Sequence, residues 1–178
     1  MNDRLLGLSL EKLSAKDALD LAILIEEEAR ERYTLLVGQV GGRYAGDASD
    51  MFRAMAVAEK KHGEDLSGRR LKLFGDEPRT VTRDMLFEVE APDLSAPRVF
   101  MSARQAMEVA LSSEQKAREF FERALEVVKD PQVRDLFASL REEEVEHEAW
   151  VRARLEKLPP GPDLEDDEAD EPGSDPGN

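Results

Sequence analysis

The chain contains no cysteine among its 178 residues, a single tryptophan and only two histidines. Without thiols it can build no disulfide, no thiolate zinc site, no iron–sulfur cluster and no rubredoxin-type iron centre. Long apolar runs are missing as well. No stretch approaches the ~20 apolar residues of a membrane helix, so no membrane partner is expected. The opening segment Met1–Leu13 carries Asp3 and Glu11 and lacks the apolar run of a signal peptide, which makes a cytoplasmic location the expectation. Aromatics make up 6% and charged residues 37%, with Ala, Leu, Glu and Arg frequent. That mix favours long helices over a sheet, in a chain long enough for one domain with a real core.

Basic residues are outnumbered, 25 against 40 acidic, for a net charge of −15. Eight of those acids, from Asp163 to Asp175, lie after Pro159 in a segment with no basic residue; without them the body carries −7. Either value excludes nucleic acid as a partner, because binding it needs a basic surface. The segment is also rich in Pro and Gly and nearly free of hydrophobes, so it cannot offset the entropy of ordering. The expected organisation is a helical domain over 1–158 and an acidic disordered tail over 159–178.

Four helices are predicted. The first opens at Ser14 and runs to about Val40, where Gly41-Gly42 stop it. The second starts after Asp47 or Ser49 and runs through Leu66 or on to Phe74, before Gly75 and Pro78. The third opens at Ser102, with Gln105 completing a capping box, and runs to Val128. The fourth begins at Asp130-Pro131, a cap followed by proline at the first helical position, and ends before Pro159-Pro160. The second connection is long and holds Pro78, Pro92 and Pro97, with room for a small element at Met85–Glu90, whereas the other two are short. Short, long, short predicts an all-α, ferritin-like four-helix bundle made of two helical hairpins joined by a crossover.

The two hairpins read as copies. A shift of 88 positions lays Ser14 on Ser102, Ala18 on Ala106, Ala22 on Ala110, Glu26 on Glu114, Ala29 on Ala117 and Tyr33 on Phe121. A shift of 85 lays Phe52 on Phe137, Met55 on Leu140, Glu59 on Glu144, His62 on His147 and Leu66 on Val151. Most steps are of three or four residues, so each series is one stripe along a helix. The stripes isolate what is unusual. Glu26 stands between Ala22 and Ala29, and Glu114 between Ala110 and Ala117, on seams that should face the core. Glu59 and His62 lie one turn apart between Met55 and Leu66, and Glu144 and His147 repeat them. Both histidines of the chain fall in these Glu-x-x-His pairs.

Their heights agree. Glu26 lies 18 residues before Tyr44 and Glu59 15 after it, while Glu114 lies 16 before Asp130 and Glu144 14 after it. At ~1.5 Å per residue all four carboxylates meet at one level. Four acids in an apolar core repel each other and lose hydration worth several kcal/mol per ion. Two divalent cations balance four carboxylates, and one Glu from each of two helices plus Glu-x-x-His from each of the others is the ligand set of dimetal carboxylate bundles. Oxygen with imidazole suits Fe or Mn, and zinc is admissible. Glu27, Glu28, Glu142, Glu143 and Glu146 point off the seam and are expected at the surface, and Trp150 is expected to pack. Tyr33, on the seam two turns from Glu26, is either a core residue with a bonded hydroxyl or a catalytic-site residue, bonded to a metal-ligating glutamate or acting in local redox chemistry.

These residues resemble the rubrerythrin-like branch of the ferritin-like superfamily. The resemblance spans residues 14–157. It rests on Glu26 to Tyr33 within Glu-Glu-Glu-Ala-Arg-Glu-Arg-Tyr, on Glu59-Lys-Lys-His62, on Glu114 with Phe121, and on Glu144-Val-Glu-His147. It implies a non-haem site of two Fe ions, or of Mn or a mixed Fe/Mn pair, that reacts with hydrogen peroxide or dioxygen and draws on an external electron donor. It also implies a homodimer or higher homo-oligomer. The chain departs from rubrerythrins in lacking the cysteines of a rubredoxin domain and in placing Ala117 where they carry a further glutamate. Six ligands are closer to bacterioferritin and the simpler ferritin-like oxidases. The leading expectation is a diiron oxidoreductase (peroxidase or ferroxidase). The alternatives are an iron-storage protein, a dimanganese catalase-like enzyme, and a helical interaction module with protonated or paired carboxylates.

Overall fold

Helices form where the sequence offers a cap followed by apolar residues at every third or fourth position. In the computed structural model, which describes residues 4–5, 8–39, 48–85 and 102–159, these are α1 (Ala15–Gln39), α2 (Ala48–Phe74), α3 (Ala103–Val127) and α4 (Pro131–Leu155). The Ser14 hydroxyl starts α1 by accepting from the Asp17 amide at 3.2 Å. The predicted capping box of α3 is present: Ser102 accepts from the Gln105 amide at 3.2 Å, and the Gln105 side chain accepts from the Ser102 amide at 2.9 Å. Asp130 caps α4 by accepting from the amides of Gln132 and Val133 at 2.8 and 3.1 Å. Gly75 ends α2 at the farther of its two expected limits. Its φ of 58° lets its amide turn back to the Leu71 carbonyl at 2.9 Å, a conformation that favours glycine.

Two separate apolar clusters fix the topology. One joins Leu19 and Ile23 of α1, Leu66 of α2, Phe121 of α3 and Phe137 of α4. The other joins Tyr33 and Leu36 of α1, Phe52 of α2, Met107 of α3 and Val151 of α4. Each cluster therefore takes the beginnings of α1 and α4 with the ends of α2 and α3, or the reverse. Helices α1 and α4 run one way, and α2 and α3 the other. Phe74 and Ala103 consequently lie at opposite ends of the bundle, which is why the second connection is long. The ferritin-like arrangement of two hairpins is the one observed.

Arginines tie the ends together. Arg104 of α3 donates to the carbonyls of Leu155, Leu158 and Pro159 at 2.7 Å each. Arg134 of α4 donates to those of Leu125 and Val128 at 2.6 and 2.9 Å. Both satisfy carbonyls that a helix end leaves without partners. At the start of the crossover, Arg79 and Arg83 pair with Glu27 and Glu31 on the outer face of α1. A 3₁₀ turn covers Arg83–Met85, and the rest of the expected element at Met85–Glu90 lies outside the described residues. So do Val40, Gly41-Gly42 and the expected tail beyond Pro159. One feature was not expected: a two-residue antiparallel pair, Arg4–Leu5 with Leu8–Ser9, precedes α1. Strands this short carry no alternation to read.

Candidate metal centre

Between the two apolar clusters lies a layer of acids. Glu26, Glu59, Glu114 and Glu144 are each at most 3% exposed, one from each helix. Their helices place them there because neighbours one or two turns away are apolar and buried: Ala22 and Ala29, Met55 and Leu66, Ala110 and Ala117, Leu140 and Val151. His62 and His147 lean over this layer from α2 and α4. Their rings stack 4.6 Å apart at 10°.

The distances divide the six into two ends sharing a middle. His62 Nδ1 lies 3.7 Å from Glu26 Oε2 and 3.6 Å from Glu59 Oε2. His147 Nδ1 lies 3.0 Å from Glu114 Oε2 and 3.4 Å from Glu144 Oε2. Ligand atoms of Glu59, His62 and His147 fall within 4.8 Å of one another, as do those of Glu114, Glu144 and His147. Glu59 thus has both imidazoles within reach. All six residues singled out by the sequence come together.

Whether the cluster suits a cation is decided by its unsatisfied atoms. Among the described residues, Glu26 Oε2, both carboxylate oxygens of Glu59 and Glu144 Oε2 are buried without a hydrogen-bond partner. Polar atoms in a folded core are almost always paired, and an unpaired buried carboxylate is among the costliest exceptions. Four acids and two imidazoles with ligand atoms left over fit oxygen-and-nitrogen ligation of divalent metal. The cluster is a metal-binding site in the making, and the fit is good.

Tyr33 serves this layer. Fully buried, its hydroxyl donates to Glu114 Oε1 at 3.1 Å while the other oxygen of Glu114 faces His147. It holds the Glu114 carboxylate from the side away from His147. Phe121, its counterpart in the repeat, has no hydroxyl to do the same for Glu26.

Without a cation, protons are the compensation available. Burial pushes the Glu26 and Glu114 carboxyls up, Glu26 the more strongly, and raises Glu144 to about 8. The Glu26 and Glu59 carboxylates, 3.7 and 3.6 Å from its Nδ1, raise His62 to about 10. Burial of His147 works against its protonation, yet its hydrogen bond to Glu114 and the neighbouring Glu144 carboxylate prevail and lift it to about 11. Raised values mean that the folded metal-free site holds protons at neutral pH that the unfolded chain releases. Its stability therefore falls as pH climbs, through about 8 for Glu144 and about 10 for His62, from ordinary values of 4.5 and 6.5. A cation has to displace those protons. Metal uptake in weak buffer near pH 7 is expected to acidify the solution, with apparent affinity rising between pH 6 and 8; pH-stat titration checks this, and uptake without proton release contradicts the burial argument.

Two sequence expectations need amending, and one buried acid was not foreseen. Trp150 does not pack inward. It is 41% exposed, with the Arg154 guanidinium 4.8 Å from its ring, because α4 turns that position outward. It lines, with Ala54, Met55, Ala58, Glu146 and His147, a cavity of about 350 Å³ between α2 and α4. Of the acids expected at the surface, Glu142 and Glu146 are exposed, while Glu27, Glu28 and Glu143 are half-buried at the margins. Glu148, which the sequence reading passed over, is a buried acid on α4 bonded to Arg118. Its signal was available: Glu148 lies one turn from Glu144 on the inward side, and Arg118 one turn from Glu114.

A family model described as rubrerythrin matches residues 17–155, and again residues 105–174. Among solved structures, an uncharacterized conserved protein from Magnetospirillum magnetotacticum MS-1 is 26% identical; the match covers 84% of this chain and 98% of that one, with a TM-score of 0.65. A hypothetical protein from Pyrococcus furiosus, 24% identical over 84% of this chain and 95% of its own, shares the fold with a TM-score of 0.53. No curated protein matches.

Proposed function

Because the chain belongs to the rubrerythrin family, we propose that its carboxylate layer holds two iron ions and that the protein is a diiron oxidoreductase acting on hydrogen peroxide or dioxygen. The observation that carries this reading is the set of buried carboxylate oxygens without partners, flanked by the chain's two histidines. Glu26 and His62 would hold one ion, Glu114 and His147 the other, and Glu59 and Glu144 stand between. Bound iron would supply the two electrons that reduce the oxidant.

The protein's own part is geometry and exclusion. Tyr33 and His147 fix the two oxygens of Glu114. Apolar clusters above and below keep bulk water from the layer. The cavity walled by Ala54, Met55, Ala58 and Trp150 reaches His147 and suits a small neutral oxidant. With no cysteine for a rubredoxin centre, turnover needs an electron donor from outside the chain. Among the described residues no helix is long and apolar enough to cross a membrane, in keeping with a protein acting in the cytoplasm.

Metal analysis tests the reading directly. Protein loaded with Fe²⁺ anaerobically and desalted should retain about two irons per chain, as the charge balance of four carboxylates requires. Mixing it with peroxide or oxygen should oxidise both. Retention of manganese in preference to iron favours the dimanganese alternative, iron in large excess over two favours storage, and no retained metal defeats the proposal.

A further inference from the structure

The two halves of the bundle follow one pattern, so their differences near the acid layer carry information. One lies in the cleft between the two helices of each hairpin. In the first hairpin a groove of about 230 Å³ runs between α1 and α2 and reaches Glu26 and Glu59, with Arg30, Gly63 and Ser67 along it. The shifts that superpose the halves carry Arg30 onto Arg118, Gly63 onto Glu148 and Ser67 onto Arg152. In the second hairpin those three counterparts form an ion-paired group. Arg118 Nε donates to Glu148 Oε1 at 2.5 Å, and Arg152 reaches Glu148 Oε2 at 3.4 Å. Glu148 is only 8% exposed. Where the second hairpin has a plug, the first has a glycine and a serine.

Gly63 stands directly over the site. A Cβ built on it would come 3.5 Å from Glu26 Cβ and meet nothing closer. A side chain there is thus sterically admissible but would lie across the groove. Charge is graded along the path as well. At the mouth the acids are engaged, Glu64 with Lys60 at 3.5 Å and Glu27 with Arg79 at 3.2 Å. At the floor, Glu26 Oε2 and both oxygens of Glu59 have no hydrogen-bond partner. A cation moving inward leaves Arg30 and the ion-paired rim for carboxylate oxygens that have no hydrogen-bond partner and whose protons it displaces on binding. The cavity between α2 and α4 is walled mainly by Ala54, Met55, Ala58 and Trp150, with Glu146 and His147 its ionisable lining residues, so it offers a hydrated cation fewer oxygen ligands than the groove.

We propose that the α1–α2 groove is the route by which divalent metal reaches the carboxylate layer, kept open by Gly63 and Ser67, and that the plugged second hairpin makes loading one-sided. The proposal rests on the metal-site reading above and concerns the rate of loading rather than the final content.

The test is stopped-flow uptake of Co²⁺ by metal-free full-length protein, followed by the visible absorption of bound cobalt. Gly63→Glu supplies Arg30 with the carboxylate that Arg118 already has, and should slow uptake roughly tenfold or more, the scale on which a focusing cleft alters on-rates. The equilibrium content should stay at the wild-type value. Gly63→Ala should stay within about twofold of wild type, because a methyl group leaves most of the groove clear. The reciprocal pair Glu148→Gly with Arg152→Ser should open a second route and speed uptake, which keeps the test independent of how well Gly63→Glu folds. Wild-type rates in both Gly63→Glu and the reciprocal pair would overturn the route alone. No cobalt uptake by the wild-type protein would instead overturn the metal site on which it rests.

Discussion

Glu114→Ala should lower metal affinity by more than about 100-fold, whereas Glu143→Ala should leave it within about twofold. Loss of even an outer partner of a metal ligand typically costs 10–100-fold, and Glu114 is placed to bind directly. It is fully buried and shared between Tyr33 and His147. Glu143, one residue from Glu144, is half-buried and, among the described residues, accepts a hydrogen bond from the Ser139 hydroxyl at 3.4 Å. Competition titration with a coloured chelator reads both, and equal losses in the two variants would show that the seam has been assigned to the wrong face. Glu59→Ala sharpens the contrast because its effects should have opposite signs. Neither oxygen of Glu59 has a hydrogen-bond partner, and the repulsion of Glu26, Glu114 and Glu144 that its removal relieves outweighs the loss of one of two carboxylates beside His62, so the metal-free protein should be at least as stable. The same change should abolish retention of the pair of ions. A ligand that is a liability until metal arrives is the behaviour expected of a functional site.

Much of this layer was legible because duplication supplies its own control. Glu26 alone among Ala22 and Ala29 is an acid on an apolar stripe; Glu114 between Ala110 and Ala117 repeats the anomaly, and chance repeats are rare. Helix caps were legible for a local reason: Ser102 with Gln105, and Asp130 with Pro131, act within one turn. The long crossover followed from proline spacing and proved to join opposite ends of the bundle. Where each side chain sits across the bundle was harder to read. Trp150 lies one turn from His147, and whether that position turns inward depends on how far α4 rolls against α2. Periodicity constrains that roll only loosely when Glu and Ala occupy several faces of the same helix. Pairings between distant segments were harder still, even where, as for Glu148, spacing from a seam residue hinted at burial. Arg118 with Glu148 and Arg70 with Asp20 join residues 30 and 50 positions apart, and a helix rich in both signs of charge offers many equivalent partners.

Arg70→Ala should destabilise the metal-free protein by about 3 kcal/mol, the lower end of what breaking a buried ion pair costs. Asp20 is fully buried in the middle of the apolar run from Ala18 to Ile25, and Arg70 is 8% exposed. The Arg70 Nε donates to Asp20 Oδ1, and its two terminal nitrogens donate to the carbonyls of Gly75 at 3.3 Å and Glu77 at 2.7 Å. One side chain therefore pairs with α1 and also satisfies the backbone where α2 gives way to the crossover. Truncation would leave the Asp20 carboxylate with Lys16 at 3.6 Å and the Thr80 amide at 3.3 Å, partial compensation that keeps the cost from the upper end. For a chain of this size the fall in melting temperature should be roughly 6–12 °C. The counterpart positions in the second half are Glu108, which is exposed, and Leu155, so no similar clasp exists there to share the load. Replacing both partners with apolar residues, Asp20→Leu with Arg70→Met, should cost less than Arg70→Ala alone, because no unpaired charge remains in the core. Thermal unfolding of the two variants side by side decides it: if the double variant is the less stable, the clasp acts through its hydrogen bonds to the Gly75 and Glu77 carbonyls and not through its charge.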